Sequence, residues 1–441
     1  MNRLVSRTLS AAAFMAVTIT LPALVNGVTA FSVQEPAAPA AAGQGRGGAA
    51  APRGQGGGRG AASAVSGDGP WDLSTEKMPV RVRAVTRGLD HPWGLAFLPD
   101  GTMLVTERPG RLRAVRNGVL DPTPIAGLPP IRAVRLGGLL EIAVHPRFAE
   151  NRFIYLGYSK PDPQDPDRST AAVLRARWDG GASLTDVKDI FVADAWRGGK
   201  GSPDGCCGQG VPDGSFGTRM VFDRNGFLYV TLGDRNYGER AQDPGSHMGK
   251  IIRLRDDGSV PSDNPFVGKQ GYKPEIYTLG HRNPLGLTIH PVTGEIWSTE
   301  FGARGGDELN RIGAGRNYGW FEVTEGTYYD QTQAPRGKNS VPGMEDPILF
   351  WVPSINPGNL LFYTGDKFPE WKGNMLMTTL TRSLLRATFD AQGKPLAQER
   401  MLTALNQRLR DVRIGPDGYI YLLTDETAGA ILRIEPGKPL N

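Results

Sequence analysis

Arg219-Met-Val-Phe-Asp-Arg-Asn-Gly-Phe-Leu-Tyr-Val-Thr-Leu-Gly-Asp234 is two β-rich runs joined by an Asp-Arg-Asn-Gly turn. Val, Tyr, Phe and Thr suit a pleated, half-buried surface, and Asn-Gly supplies the backbone freedom of a tight turn, so the stretch predicts a hairpin. The pattern recurs along the chain. Gly94-Leu-Ala-Phe-Leu-Pro-Asp-Gly-Thr-Met-Leu-Val-Thr-Glu107 is one copy, and residues 140–158, 286–300 and 411–425 are others. A looser copy runs from Leu361 to Leu380. The copies are about 45 to 75 residues apart, more than a minimal blade needs, so insertions separate them. Repeated hairpins without long helical periodicity predict an all-β chain, and six copies predict a six-bladed β-propeller. The loops at 161–168 and 198–213 are expected at one end of the central channel, where binding residues gather.

The chain divides into three parts. Met1-Asn-Arg-Leu-Val-Ser-Arg is basic, an apolar run follows from Leu9 to Val25, and Val28-Thr-Ala30 has the small-x-small form of a cleavage site. Residues 1–30 therefore read as a signal peptide, which predicts a periplasmic or secreted protein. The apolar run contains Thr18, Thr20 and Pro22 and is short for a membrane span, so none is expected in the mature chain. Residues 31–69 are Ala, Pro, Gly, Gln and Arg with almost no large apolar side chain, which predicts a disordered tether. Residues 70–441 form the propeller.

Charge excludes one class of partner. Of the formal +5, Arg3 and Arg7 contribute two, and Arg46, Arg53 and Arg59 less Glu35 contribute two more, leaving +1 from Ala64 onward. A near-neutral folded part argues against nucleic acid. The two cysteines are adjacent, Cys206-Cys207. Neighbouring Cα atoms lie about 3.8 Å apart, below the usual disulfide span. A secreted address still favours oxidation, and the pair reads as a staple locking a turn.

Chemistry concentrates between Tyr277 and Trp320. Arg282-Asn283-Pro offers a planar cation and an amide just before a strand, and Phe301-Gly-Ala-Arg-Gly-Gly-Asp-Glu-Leu-Asn310 is a Gly-rich acidic loop. Glycine lets such a loop turn its carbonyls inward, and carbonyls with a carboxylate are ligands for a hard cation such as Ca²⁺.

Several stretches together carry a family resemblance: Gly137-Gly-Leu-Leu-Glu-Ile-Ala-Val-His-Pro, Gly249-Lys-Ile-Ile-Arg-Leu, Gly280-His-Arg-Asn-Pro, Gly305-Gly-Asp-Glu-Leu-Asn, Asn317-Tyr-Gly-Trp and Tyr363-Thr-Gly-Asp-Lys-Phe-Pro. From about Pro79 to Glu435 the chain resembles the soluble PQQ-dependent aldose sugar dehydrogenases, the glucose/sorbosone dehydrogenase family. The resemblance implies a six-bladed propeller with PQQ and Ca²⁺ at the mouth of its channel. It places cofactor contacts at Arg282, Asn283, Arg408 and Arg410, and three arginines suit a cofactor with three carboxylates. It places the catalytic calcium on the carbonyls of Gly302 and Ala303, and a structural calcium on Glu308 and the Tyr318 carbonyl. The implied activity is oxidation of an aldose at its anomeric carbon to a lactone, with electrons passed to an external acceptor.

Three positions depart from the family pattern. Ser215, in Ser215-Phe-Gly-Thr-Arg219, stands at the position of the family's His base; Leu136 replaces a Gln, and Thr381 a Lys. A hydroxyl abstracts a proton poorly without a helper, because a general base needs a pKa near the working pH. The alternative reading is therefore a degenerate, non-catalytic propeller that binds calcium and an anionic or sugar ligand.

Overall fold

Each predicted hairpin becomes the two inner strands of an antiparallel sheet. The computed structural model describes residues 69–337 and 341–438. The leader at 1–30 and the tether at 31–69, apart from Gly69, lie outside the described residues. In the opening stretch, strand Gly217–Phe222 pairs with Leu228–Leu232, register Met220–Val230 and Phe222–Leu228. Gly226, with φ +80°, makes the turn between them, a conformation open to glycine because it lacks a Cβ.

Six such sheets form the blades: residues 92–120, 139–198, 217–279, 284–351, 357–401, and a sixth from 409–436. The sixth recruits strand Pro79–Leu89 from the start of the fold, which pairs with Gly429–Pro436 and so joins the two ends. The innermost strands are Pro92–Phe97, Leu139–Val144, Gly217–Phe222, Pro284–Ile289, Pro357–Phe362 and Leu409–Ile414. Each touches the next and the last touches the first, which closes a ring.

Large apolar side chains fill the wedges between blades. Between the fourth and fifth, Trp297, Leu309, Trp351, Leu360, Phe362, Met375 and Met377 form one buried cluster. The channel itself is closed by charge. Arg219 of blade three pairs with Glu141 of blade two and lies 3.3 Å from Asp411 of blade six. Its guanidinium also donates to the Leu285 carbonyl of blade four at 2.8 Å. Asp411 accepts from the Leu95 amide of blade one at 2.9 Å and from Asn359 Nδ2 of blade five at 2.8 Å. One fully hydrogen-bonded network thus ties all six blades across the axis, the condition under which buried charges are tolerated.

Candidate active site

The innermost strands begin, and their partners end, at the same end of the channel. The second strands finish in acids: Glu107, Asp234, Glu300 and Asp425 sit at or just past those ends, and all four are buried. Above them lies a cavity of about 250 Å³. Arg282, Asn283, Arg408, Arg410, Ser215 and Leu136 all line it, so residues between 136 and 410 in sequence converge on one place.

Arginine dominates one part of the wall. Arg410 Nη2 donates to Asp425 Oδ2 at 2.8 Å, and Arg408 Nη2 donates to the same oxygen at 3.1 Å. Arg108, which the sequence reading missed, lines the cavity with its Nη1 3.9 Å from Asp425 Oδ1. Its loop comes this close because Gly138 makes room: a Cβ there would lie 1.9 Å from the Arg108 carbonyl oxygen. Burial pushes Arg410 down to about 10, still charged at neutral pH. For Asp425 burial acts upward, but Arg410, Arg408 and Arg108 outweigh it and hold the carboxyl well below its usual range. The Arg282 backbone amide donates to Glu300 Oε2 at 2.7 Å, while its guanidinium bonds no carboxylate among the described residues and donates to Tyr329 Oη at 3.0 Å and to the Phe301 carbonyl at 3.3 Å. The Nε atoms of Arg282 and Arg410 are buried without a partner. Four guanidiniums on one cavity wall, of which only Arg408 and Arg410 hydrogen-bond a carboxylate, suit an anion with several carboxylates.

Ser215 is buried at the cavity wall, and its hydroxyl donates to Asn236 Oδ1 at 2.8 Å. Asn236 Nδ2 donates to the Val211 carbonyl at 2.7 Å, which fixes the amide's orientation. Behind them stands Asp234, another residue that the sequence reading did not single out. It accepts from Trp320 Nε1 at 2.8 Å and from the Asn236 amide at 2.9 Å. Burial raises its carboxyl, against Arg282, Asn236, Trp320 and the Ser215 hydroxyl, which all favour the charged form. Asn283 Oδ1 accepts from the Gly217 amide at 3.2 Å. Leu136 is the exposed apolar part of the wall, and Thr381 does not line the cavity; its hydroxyl donates to the Ile355 carbonyl at 2.9 Å. No histidine lines it. His281 is buried between Glu300 and Thr278, and His247 accepts from the Asp194 amide at 2.9 Å.

The residues expected to hold calcium lie in and beside the fourth blade. Asp307 anchors their loop, accepting from Gly302 N, Ile355 N and Asn356 N at 2.8 Å each and from Ser354 Oγ at 2.6 Å. Glu308 stands directly across from Glu300 on the neighbouring strand. Burial, then Glu300, Glu325 and Asp307, raises the Glu308 carboxyl well above the usual range, with only Asn310 opposing. Asn310 Nδ2 bridges Glu300 and Glu308 at 3.0 Å each, and Asn310 Oδ1 is buried without a partner. Tyr318 stacks on His281, which is itself bonded to Glu300. Among the described residues no cluster of three or more His, Cys, Asp or Glu is arranged to hold a metal. The expected ligands are of another kind, mostly main-chain carbonyls, and at the Glu308 position facing carboxylates beside an unpartnered amide oxygen fit a hard cation.

Comparison with known proteins bears on this geometry. The profile of the family described as glucose/sorbosone dehydrogenase matches residues 89–433. The Escherichia coli aldose sugar dehydrogenase YliI is 38% identical over 359 residues, covering 81% of this chain and 93% of that one. The crystal structure of the soluble E. coli aldose sugar dehydrogenase in its apo form superposes with a TM-score of 0.74 at 37% identity, covering 81% and 100% of the two chains. The PQQ-bound aldose sugar dehydrogenase of Streptomyces coelicolor superposes at 0.64 with 26% identity, covering 81% and 97%.

Proposed function

The chain belongs to the glucose/sorbosone dehydrogenase family, and from that premise we propose that it oxidises an aldose at its anomeric carbon to the lactone, using PQQ beside Ca²⁺. The observation that carries this reading is the cavity wall, where Arg108, Arg282, Arg408 and Arg410 gather while only Arg408 and Arg410 hydrogen-bond a carboxylate, Asp425. These arginines with Asn283 would hold the cofactor. The carbonyls of Gly302 and Ala303 would hold the catalytic calcium, and Glu308 with the Tyr318 carbonyl a structural one. Bound PQQ supplies the two-electron oxidant, and an external acceptor regenerates it.

The chain's own task is then the proton of the sugar hydroxyl. Ser215 faces the cavity with Asp234 behind it, and the serine hydroxyl can turn from Asn236 Oδ1 to the Asp234 carboxylate. Burial moves Asp234 toward the working pH, which a general base requires. The leader pattern supports action outside the cytoplasm, and no helix among the described residues is long and apolar enough to cross a membrane.

A second reading, a binding propeller without turnover, draws on Ser215 itself, whose hydroxyl is spent on Asn236. One titration separates the two. Cofactor-free protein in calcium buffer is expected to take up PQQ saturably and then to reduce a dye with glucose or another aldose. Asp234→Asn should keep PQQ uptake and lower turnover by about 10²-fold, the low side of what a positioned base contributes. Absence of PQQ uptake would refute the reading; uptake with no turnover of any aldose would select the binding propeller.

A further inference from the structure

The adjacent cysteines find no task in the chemistry above, yet they stand at its edge. Cys206 and Cys207 are joined by a disulfide. Its residues pack against Ala303, Trp320, Phe321 and Tyr328, the cluster beside the calcium loop. The turn is pinned on both sides: the Cys206 amide donates to Glu239 Oε1 at 3.3 Å, and the Asp330 amide to the Cys207 carbonyl at 3.3 Å. The Gln209 amide closes the turn onto the Cys206 carbonyl at 3.1 Å. Gln209 is 3% exposed and lines the cavity, and both its Nε2 and its Oε1 are buried without a partner among the described residues.

A buried amide with a free donor and a free acceptor costs stability unless something in the cavity answers both. A carboxylate accepts only, and would use Nε2 alone. A sugar hydroxyl both donates and accepts, so neighbouring hydroxyls of a pyranose answer both atoms. We propose that Gln209 is a sugar-binding residue of this site, aimed into the cavity by the Cys206–Cys207 disulfide. The proposal rests on the sugar dehydrogenase reading and adds the residue that recognises the substrate's hydroxyls. It also gives a loop amide to a cavity where Leu136 stands in place of the family's glutamine.

The test separates sugar from cofactor. In PQQ-loaded protein, Gln209→Leu should raise KM for the aldose about tenfold, the scale of one or two neutral hydrogen bonds, with kcat and PQQ affinity changed less than about twofold. Cys206→Ser with Cys207→Ser, leaving Gln209 intact, should raise KM in the same direction. An unchanged KM in Gln209→Leu overturns the assignment, and so does a loss confined to PQQ affinity. An unchanged KM in the double serine variant overturns the part given to the disulfide. Should wild type take up no PQQ, the dehydrogenase reading falls by itself, and saturation-transfer NMR with 1,5-anhydroglucitol on cofactor-free protein decides Gln209 alone. Transfer present in wild type and lost in Gln209→Leu sustains it; transfer absent in wild type, or equal in both, overturns it.

Discussion

Asp425 and Glu308 are carboxylates of one propeller in opposite company. Asp425 is surrounded by Arg408, Arg410 and Arg108, which hold it ionised. Glu308 faces Glu300, and the nearby charges of Glu325 and Asp307 add to burial in favouring its proton. The first region has more cation than anion and the second more anion than cation. Each imbalance is costly in a low-dielectric interior, and each names the charge that would relieve it. An anionic cofactor suits the arginines and a divalent cation suits the glutamates, so the difference between the two regions carries the case for PQQ and calcium together.

The largest effect should come from undoing the Arg410–Asp425 pairing. Arg410→Met leaves the buried Asp425 with Arg408 as its only hydrogen-bonded cation. Breaking a buried pair from one side costs about 3–5 kcal/mol, so denaturant unfolding of cofactor-free protein should show a loss on that scale. A loss under about 1 kcal/mol, the range of a surface pair, would show that Asp425 and Arg410 are not a buried couple.

Arg282 sharpens the contrast, because its removal orphans no directly bonded carboxylate. Arg282→Gln should weaken PQQ binding by about 10- to 100-fold, the worth of a charge-assisted hydrogen bond. Unfolding of the cofactor-free variant should stay within about 1 kcal/mol of wild type, since Asp234 keeps the Trp320 and Asn236 donors. Fluorescence titration with PQQ reads the first quantity. Unweakened affinity would remove Arg282 from the cofactor site.

These regions were unequally visible in sequence. The fold was readable because hairpin chemistry is local: Asp-Arg-Asn-Gly makes its turn whatever surrounds it, and the inner strand pairs fall on the repeated copies except in the fifth blade, where strand Pro357–Phe362 begins before its looser copy at Leu361. Arg282, Asn283, Arg408, Arg410 and Ser215 were reached through motif likeness, and the cavity brings them together. Arg108 and Gln209 were not, since their roles arise from contacts across blades. Arg108 is admitted by the missing Cβ of Gly138, and Gln209 is aimed by a disulfide that sequence alone presents as a staple. A signal for Asp234 and Asp425 did exist. Four repeat copies end in an acid, at Glu107, Asp234, Glu300 and Asp425, and a shared register brings these to one end of the channel. The hub of Arg219, Glu141 and Asp411 had no such signal, because residues on three blades meet only once the ring closes.

The smallest expected effect is a slope, and it tests the acidic region by sign. The fold raises the Glu308 carboxyl above its ordinary 4.5, so between that value and the raised one the native state keeps a proton that the unfolded chain has lost. Calcium-free stability therefore falls as pH rises through that window, by at most about 1.4 kcal/mol per pH unit from this group. Asp234 and Asp307 are raised too and add slopes of the same sign, so the informative quantity is the difference between wild type and Glu308→Gln. Urea unfolding between about pH 5 and 7 in chelator should show wild type losing stability more steeply than the variant. Saturating calcium, which binds the ionised carboxylate, should flatten the wild-type slope and add about 2.7 kcal/mol at a hundredfold excess over Kd. Glu308→Gln should lose most of that gain. Parallel slopes in chelator, or equal calcium stabilisation of both proteins, would mean that Glu308 does not face the cation, and the contrast with Asp425 would then be one of burial alone.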